Sequence, residues 1–288
     1  MKVSRSRIEQ TARAALLRAS DVPRRATASL RLEPDFLIVG AQRCGTTSMF
    51  KTLAQHPSVA PPFLRKGVHY FDKNRDRDHL WYRSHFPVAA TSRLRRSGAR
   101  PITGESSPYY MFHPTAAARI ADELPQVRLI ALLRDPVERA YSSHSHESAR
   151  GYETESFPRA LELEDSRTSG EREAMLADPA YDSFSLQHHA YLARGRYVEQ
   201  LRRLEGIVGR DRLLVVDSQD FFDSPEGVFP AVCRHLGLAP HEDISFERHN
   251  ARGRSPMDAG LRRELEEHFA PFDDELASWW GRTPSWRR

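Results

Sequence analysis

The stretch Asp35-Phe36-Leu37-Ile38-Val39-Gly40-Ala41-Gln42-Arg43-Cys44-Gly45-Thr46-Thr47-Ser48 decides how the 288-residue chain is read. An unbroken apolar run that stops at a glycine reads as a buried parallel strand, not a half-exposed one. A loop from Gly40 to Gly45 follows, and a helix is expected from Thr46 to Gln55, ending before His56-Pro57. Strand, glycine-bounded loop and helix N-terminus together make an anion site. Backbone N–H groups and the helix dipole both favour negative charge there. The glycines permit close backbone approach. Thr46, Thr47 and Ser48 add hydroxyls, and Arg43 adds a cation.

The spacing is that of a nucleotide P-loop, G-x4-G-K-[ST], without its lysine. Thr46 holds the lysine's place, and the cation has moved three positions earlier, to Arg43. A loop that cleaves ATP or GTP uses that lysine on the β- and γ-phosphates and a hydroxyl on magnesium. A nucleotide kinase is therefore the rival reading, and the missing lysine counts against it.

Arg128-Leu129-Ile130-Ala131-Leu132-Leu133 reads as a second buried strand, ending at Arg134-Asp135-Pro136. Pro136 suits the first turn of a helix. Arg134 at the strand end and Ser142 two turns on can hold one phosphate, by a guanidinium fork and a hydroxyl. Two phosphate sites at the carboxyl ends of parallel strands imply a nucleotide phosphorylated at both its 5′ and 3′ positions.

Arg212 to Val216 is a third strand, and short strands are expected at Val68 to Phe71 and Pro101 to Gly104. Helices are expected over Leu186 to Leu204, Pro225 to Leu236 and Leu261 to Trp280. Strands alternating with helices predict an α/β fold of the P-loop type, three layers with a central parallel β-sheet flanked by helices. Residues 151–183 read as a mobile excursion with one helix near Phe157 to Leu163. Residues 1–30 read as a basic N-terminal extension, with Ile8, Ala12, Leu16 and Leu17 in a helical stripe, and 31–288 as the functional domain.

Composition narrows the classes. The 43 Lys and Arg residues are offset by 39 Asp and Glu, and no basic stripe interleaves with aromatics, so no nucleic-acid partner is expected. Cys44 and Cys233 form no disulfide framework, and no apolar run is long enough for a transmembrane segment or a signal peptide, so a cytoplasmic location is expected. The 13 histidines show no metal-ligand spacing, and no metal is expected.

These motifs resemble the sulfotransferases that use 3′-phosphoadenosine 5′-phosphosulfate (PAPS), in the branch of the heparan sulfate sulfotransferases and their bacterial relatives. Phe36 to Ala60 resembles the family's 5′-phosphosulfate loop, and Leu129 to His144 its 3′-phosphate motif. Arg252-Gly253-Arg254-Ser255 resembles its basic closing loop. Val68-His69-Tyr70-Phe71 and Ser107-Pro108-Tyr109-Tyr110 resemble two landmarks beside the acceptor. The resemblance covers about residues 34–280. It implies that Arg43, Cys44, Gly45, Thr46, Thr47 and Ser48 line the 5′-phosphosulfate site. It also implies that Arg134 and Ser142 hold the 3′-phosphate, and that Arg252, Gly253 and Arg254 close over the nucleotide. Adenosine 3′,5′-bisphosphate is the implied product.

The chain departs from the family at three positions. Arg43 replaces a lysine, Gly67 stands where the heparan branch has a catalytic glutamate, and Ser106 replaces a lysine. In-line transfer then calls for Arg43 at the leaving phosphate and a base for the acceptor, with His69 the first candidate and Glu105 the second. His144 and His146 read as surface or supporting groups. The acceptor is left open among carbohydrate, glycolipid, secondary metabolite and peptide tyrosine. A non-catalytic binder of a bisphosphorylated nucleotide is the remaining rival.

Overall fold

The computed structural model describes residues 16, 19–94, 101–241, 243–249 and 255–288, with backbone only at 93 and 94. The elements that build the site are, in chain order, β1 (Phe36–Gly40), α1 (Thr46–Leu53), β2 (Gly104–Ser106), α2 (Ala116–Glu123), β3 (Arg128–Leu133), α3 (Pro136–Arg150), α4 (Tyr197–Val208), β4 (Leu213–Asp217), α5 (Pro225–Leu236) and α6 (Ala259–Trp280). The four strands form one parallel sheet in the order β2-β1-β3-β4. Phe36 lies opposite Gly104 on one side and Arg128 on the other.

Parallel strands covered on both faces read as apolar runs, and here they are buried as such. Every residue of β1 is buried, and so is every residue of β3 after Arg128. Each buried Leu, Ile or Phe contributes about 1.5–3 kcal/mol. Helix α1 packs on β1 and β2, α4 on β4, α2 and α6, and α5 on β4. The result is the α/β, P-loop-type architecture expected from the sequence. A second apolar cluster, including Val137, Phe157, Tyr191 and Phe269, fastens α3 to the helix Phe157–Glu162 and to α6.

Several expectations are corrected. Val68 to Phe71 is not a strand: His69 turns the backbone at φ 57°, and Asn74 Nδ2 donates to the carbonyls of Val68 and His69. The short strand near 101 begins only at Gly104. Residues 151–183 hold three short helices, Phe157–Glu162, Glu164–Thr168 and Glu171–Ala177. They are tied down by buried Glu164, which accepts the amides of Tyr191, Leu192 and Ala193. Buried Glu153 adds an ion pair with Arg167 at 2.7 Å.

The helix expected over Leu186 to Leu204 is broken. A turn at Ala193–Gly195 separates Phe184–His188 from α4. Gly195 sits so close to α6 that a Cβ would meet the Phe269 ring at 2.5 Å.

At the N-terminus, the helix Asp21–Ala26 and the turn Ala28–Leu30 dock on the helix His79–Arg83. Arg24 is buried and Arg25 pairs with Asp78 at 2.5 Å, so the docked structure begins about ten residues before position 31. Of the N-terminal stripe only Leu16 is described, and it is exposed. Trp279, Trp280 and Trp286 pack against the main core.

Candidate active site

Neighbouring strands deliver the two anion motifs side by side. β1 ends in the loop from Gly40 to Gly45, and β3, hydrogen-bonded to it, ends at Arg134. Strand order reverses at β1, since β2 and β3 lie on its opposite sides. Ligands of open α/β sheets bind at such a crevice. Gly45 is required at the N-terminus of α1. Its φ is 83°, and a Cβ would stand 3.0 Å from the Phe222 ring.

Local bonds hold the loop from behind. Ser218 Oγ donates to the Cys44 carbonyl at 2.8 Å, and the Tyr197 hydroxyl lies 3.7 Å from Cys44 Sγ while donating to the Arg134 carbonyl at 2.8 Å. Cys44 is buried, and burial pushes its thiol up, away from thiolate chemistry.

Arg43 and Ser142, 99 residues apart, are in contact: Arg43 Nε donates to Ser142 Oγ at 3.1 Å. Arg134 is partly exposed and pairs with Glu138 at 3.2 Å, and Glu138 is shared with Arg262 of α6. Ser48 faces elsewhere. It is buried, and its Oγ accepts the amide of His249 at 2.9 Å. Arg252, Gly253 and Arg254 lie outside the described residues.

A cleft of about 330 Å³ opens over the loop. Arg43, Thr46, Thr47, Lys66 and His69 line one side, and Lys73, Tyr109, His146, Arg150, His188 and Arg194 line the rest. No carboxylate is among its lining residues. His69 Nδ1 is 2.9 Å from Oδ2 of Asp72, which is fully buried. That pairing commits Nδ1 and leaves Nε2 as the other ring nitrogen of a residue that lines the cleft.

Glu105, the second candidate base, is arranged differently. It is fully buried at β2 and accepts hydrogen bonds from the Val68 amide, Ser107 Oγ (2.7 Å), Tyr82 (2.9 Å) and Tyr110 (2.9 Å). Four donors saturate a carboxylate. Glu105 therefore holds the 66–71 segment against β2 and has no lone pair left for an acceptor proton.

The cleft lining also holds a second carboxylate-held histidine. His188 Nδ1 is 2.8 Å from Glu147 Oε2, and both residues are buried. Burial raises the Glu147 carboxyl, but the hydrogen bond and charge of His188, with Arg150, outweigh it and hold the pKa below the usual range. Gln42 of the loop donates to the same carboxylate at 3.4 Å and accepts from Arg194. Arg194 lies 4.7 Å from the Tyr109 ring centre. His146, read from sequence as a supporting group, lines the cleft, whereas His144 is turned to the Glu155 carbonyl.

Sequence reasoning missed Asp72, Glu147, His188 and Lys66. Asp72, three residues after His69, was the one with a local signal. Lys66 Nζ donates to Thr46 Oγ1 at 3.3 Å and to Ser106 Oγ at 3.2 Å. Burial chiefly, with the nearby Arg43 charge, lowers its pKa to about 8 against the pull of Glu105. Among the described residues, no three His, Cys, Asp or Glu side chains gather as metal ligands.

A parallel α/β sheet whose lysine-free phosphate loop meets a second anion motif on the adjacent strand defines a P-loop-type fold with two adjoining anion motifs. The chain belongs to the Sulfotransferase family, whose model matches residues 34–243. It is 28% identical over 289 residues to the human bifunctional heparan sulfate N-deacetylase/N-sulfotransferase 3, a match covering 88% of this chain and 31% of that protein. It thus spans about a third of that relative's length. It is 27% identical to human heparan sulfate glucosamine 3-O-sulfotransferase 6, over 88% of this chain and 73% of the relative. A crystal structure of a sulfotransferase from Alicyclobacillus acidocaldarius superposes with a TM-score of 0.65 at 29% identity, covering 89% of this chain and all of that one.

Proposed function

We propose that the chain transfers a sulfuryl group from PAPS to a hydroxyl or amine of its acceptor. The observation that carries this reading is the contact between the two anion motifs, Arg43 to Ser142 at 3.1 Å, over a cleft lined by cations and no carboxylate. The residues present suit the donor. The N-terminus of α1, three basic side chains and two loop hydroxyls favour a polyanion. Arg43, Gly45, Thr46 and Thr47 hold its 5′ end, and Arg134 and Ser142 its 3′-phosphate.

When bound, the donor supplies a sulfuryl group attached to a phosphate leaving group. His69 takes the acceptor's proton on Nε2 while Asp72 stabilises the imidazolium that results. Arg43 offsets charge gathering on the leaving phosphate. Glu105 keeps His69 in place.

Lys73, Arg150 and Arg194 also line the cleft, which favours an acceptor that is itself anionic. A saccharide carrying carboxylate or sulfate, as in the heparan sulfate of the relatives' names, is the first class to test. Calorimetric titration with adenosine 3′,5′-bisphosphate, beside ATP with Mg²⁺, tests the donor. Binding without metal that collapses in Arg134→Ala is the expected result. Binding of ATP–Mg²⁺ alone overturns the reading in favour of a kinase.

A further inference from the structure

Lys66 stands in an unfavourable position for a cation, chiefly because it is buried. Its ammonium points at Thr46, the first residue of α1, where the helix dipole is already positive, and Arg43 adds a second positive charge. Its hydrogen-bond partners are two neutral hydroxyls, Thr46 Oγ1 and Ser106 Oγ. Among the described residues no carboxylate comes within ion-pair distance of it. Glu105 is close enough to be felt, but four other donors hold it.

The backbone aims the side chain there. The Ser106 amide donates to the Lys66 carbonyl at 2.7 Å, stitching residue 66 to the edge of β2. Gly67 permits the approach, since a Cβ would lie 2.4 Å from the Ser106 carbonyl oxygen. The cleft groups that share this space are Arg43 and Thr46 of the loop and α1, His69 and Lys73 of the same segment, and His146, Arg150, His188 and Arg194 elsewhere in its lining. None is an acid.

A buried cation kept against the dipole, with no carboxylate in ion-pair contact, is an anion site awaiting its anion. The lysine missing from the phosphate loop has thus been resupplied from another segment. We infer that Lys66 is a direct ligand of the donor's 5′-terminal anionic group, occupying in space the role that a P-loop lysine fills from within its loop. This assignment rests on the donor reading above and adds to it a residue that loop spacing does not reveal. Arg43, whose Nε is turned to Ser142, then bridges the 5′ and 3′ sites instead of serving the 5′ end alone.

The inference has a thermodynamic signature that needs no acceptor. Lys66 titrates at about 8 in the free protein, and a bound anion raises that value. At pH 8.5 binding is therefore expected to draw a fraction of a proton from solution. Titration of the full chain with adenosine 3′,5′-bisphosphate in two buffers of different ionisation enthalpy measures that uptake.

Wild type is expected to take up protons. Lys66→Met is expected to bind about tenfold or more weakly without uptake. Lys66→Arg is expected to keep part of the affinity, also without uptake. Thermal melting of the ligand-free proteins serves as the folding control, and Lys66→Met should melt no lower than wild type. If Lys66→Met binds as wild type does, or keeps the proton uptake, the assignment of Lys66 is wrong while the donor reading stands. If wild type itself ignores the bisphosphate, both fall together.

Discussion

A histidine serves as a base when one ring nitrogen is committed and the other is exposed to the acceptor. For His69, the proposed base, Asp72 commits Nδ1. His69→Gln is expected to lower sulfuryl transfer to an anionic saccharide by about 100-fold or more and to leave affinity for adenosine 3′,5′-bisphosphate unchanged. Initial rates and calorimetry check the two halves separately. Glu105 predicts the opposite pattern. In Glu105→Gln the charge is lost, and even with the new NH2 turned away from the Val68 amide, the Tyr82 and Tyr110 hydroxyls must reverse from donors to acceptors. The variant should lose about 1–3 kcal/mol of stability and melt several degrees lower. A Glu105→Gln protein that melts like wild type but has lost turnover would return Glu105 to the role of base.

At the scale of elements, the segment 66–71 and the short edge strand β2 act as one unit. Their contact explains why the glutamate of the heparan branch cannot be restored by a single change. Any side chain at residue 67 drives into the Ser106 carbonyl at 2.4 Å and the Ser107 hydroxyl at 2.9 Å. Gly67→Glu is expected to cost about 1–3 kcal/mol by overpacking, visible as a lower melting temperature, with no gain in rate. A faster, equally stable Gly67→Glu enzyme would show that the segment yields and that its packing is not what excludes the carboxylate. The loop and α1 form a second unit. Gly45→Ala forces a Cβ into the left-handed region against the Phe222 ring. The expected outcome is weaker bisphosphate binding, measured by calorimetry, because the loop and the helix N-terminus move together.

At the scale of the molecule, Ser285 and Trp286 tie the carboxyl end of β4 to α6. Asp217 at the end of β4 accepts the Ser285 amide and hydroxyl, each at 2.8 Å, and Trp286 Nε1 donates to Asp273 at 3.0 Å. Asp273 is buried, and burial raises its carboxyl to about 6. A carboxyl with a raised folded pKa is most compatible with the fold while protonated. Its contribution to stability is therefore lost as pH rises from about 4 through 6. Asp273→Asn keeps an acceptor for the indole without the charge. It should be more stable than wild type at pH 8, by at most about 3 kcal/mol, with the difference closing as pH falls toward 4. Melting both proteins across that range checks the sign, and a gap that widens in acid would contradict it.

The amino-acid sequence alone determined the strands and the loop chemistry. β1, β3 and β4 are apolar runs because both faces of a parallel sheet are covered. Gly45, Thr46 and Arg134 follow those runs at fixed offsets, so their place at the strand ends was legible. Tertiary structure decided what depends on which segments meet. β2 is only three residues long, and its pairing with β1 comes from burial, not from a pattern of its own. Lys66 and His188 reach the cleft from outside the phosphate motifs that the sequence exposed, and no spacing within one segment records a meeting across 41 residues, as between Glu147 and His188. Glu105 looks like a base in one dimension. In three it is surrounded by four donors, because a carboxylate buried at a sheet edge is stable only when its lone pairs are filled.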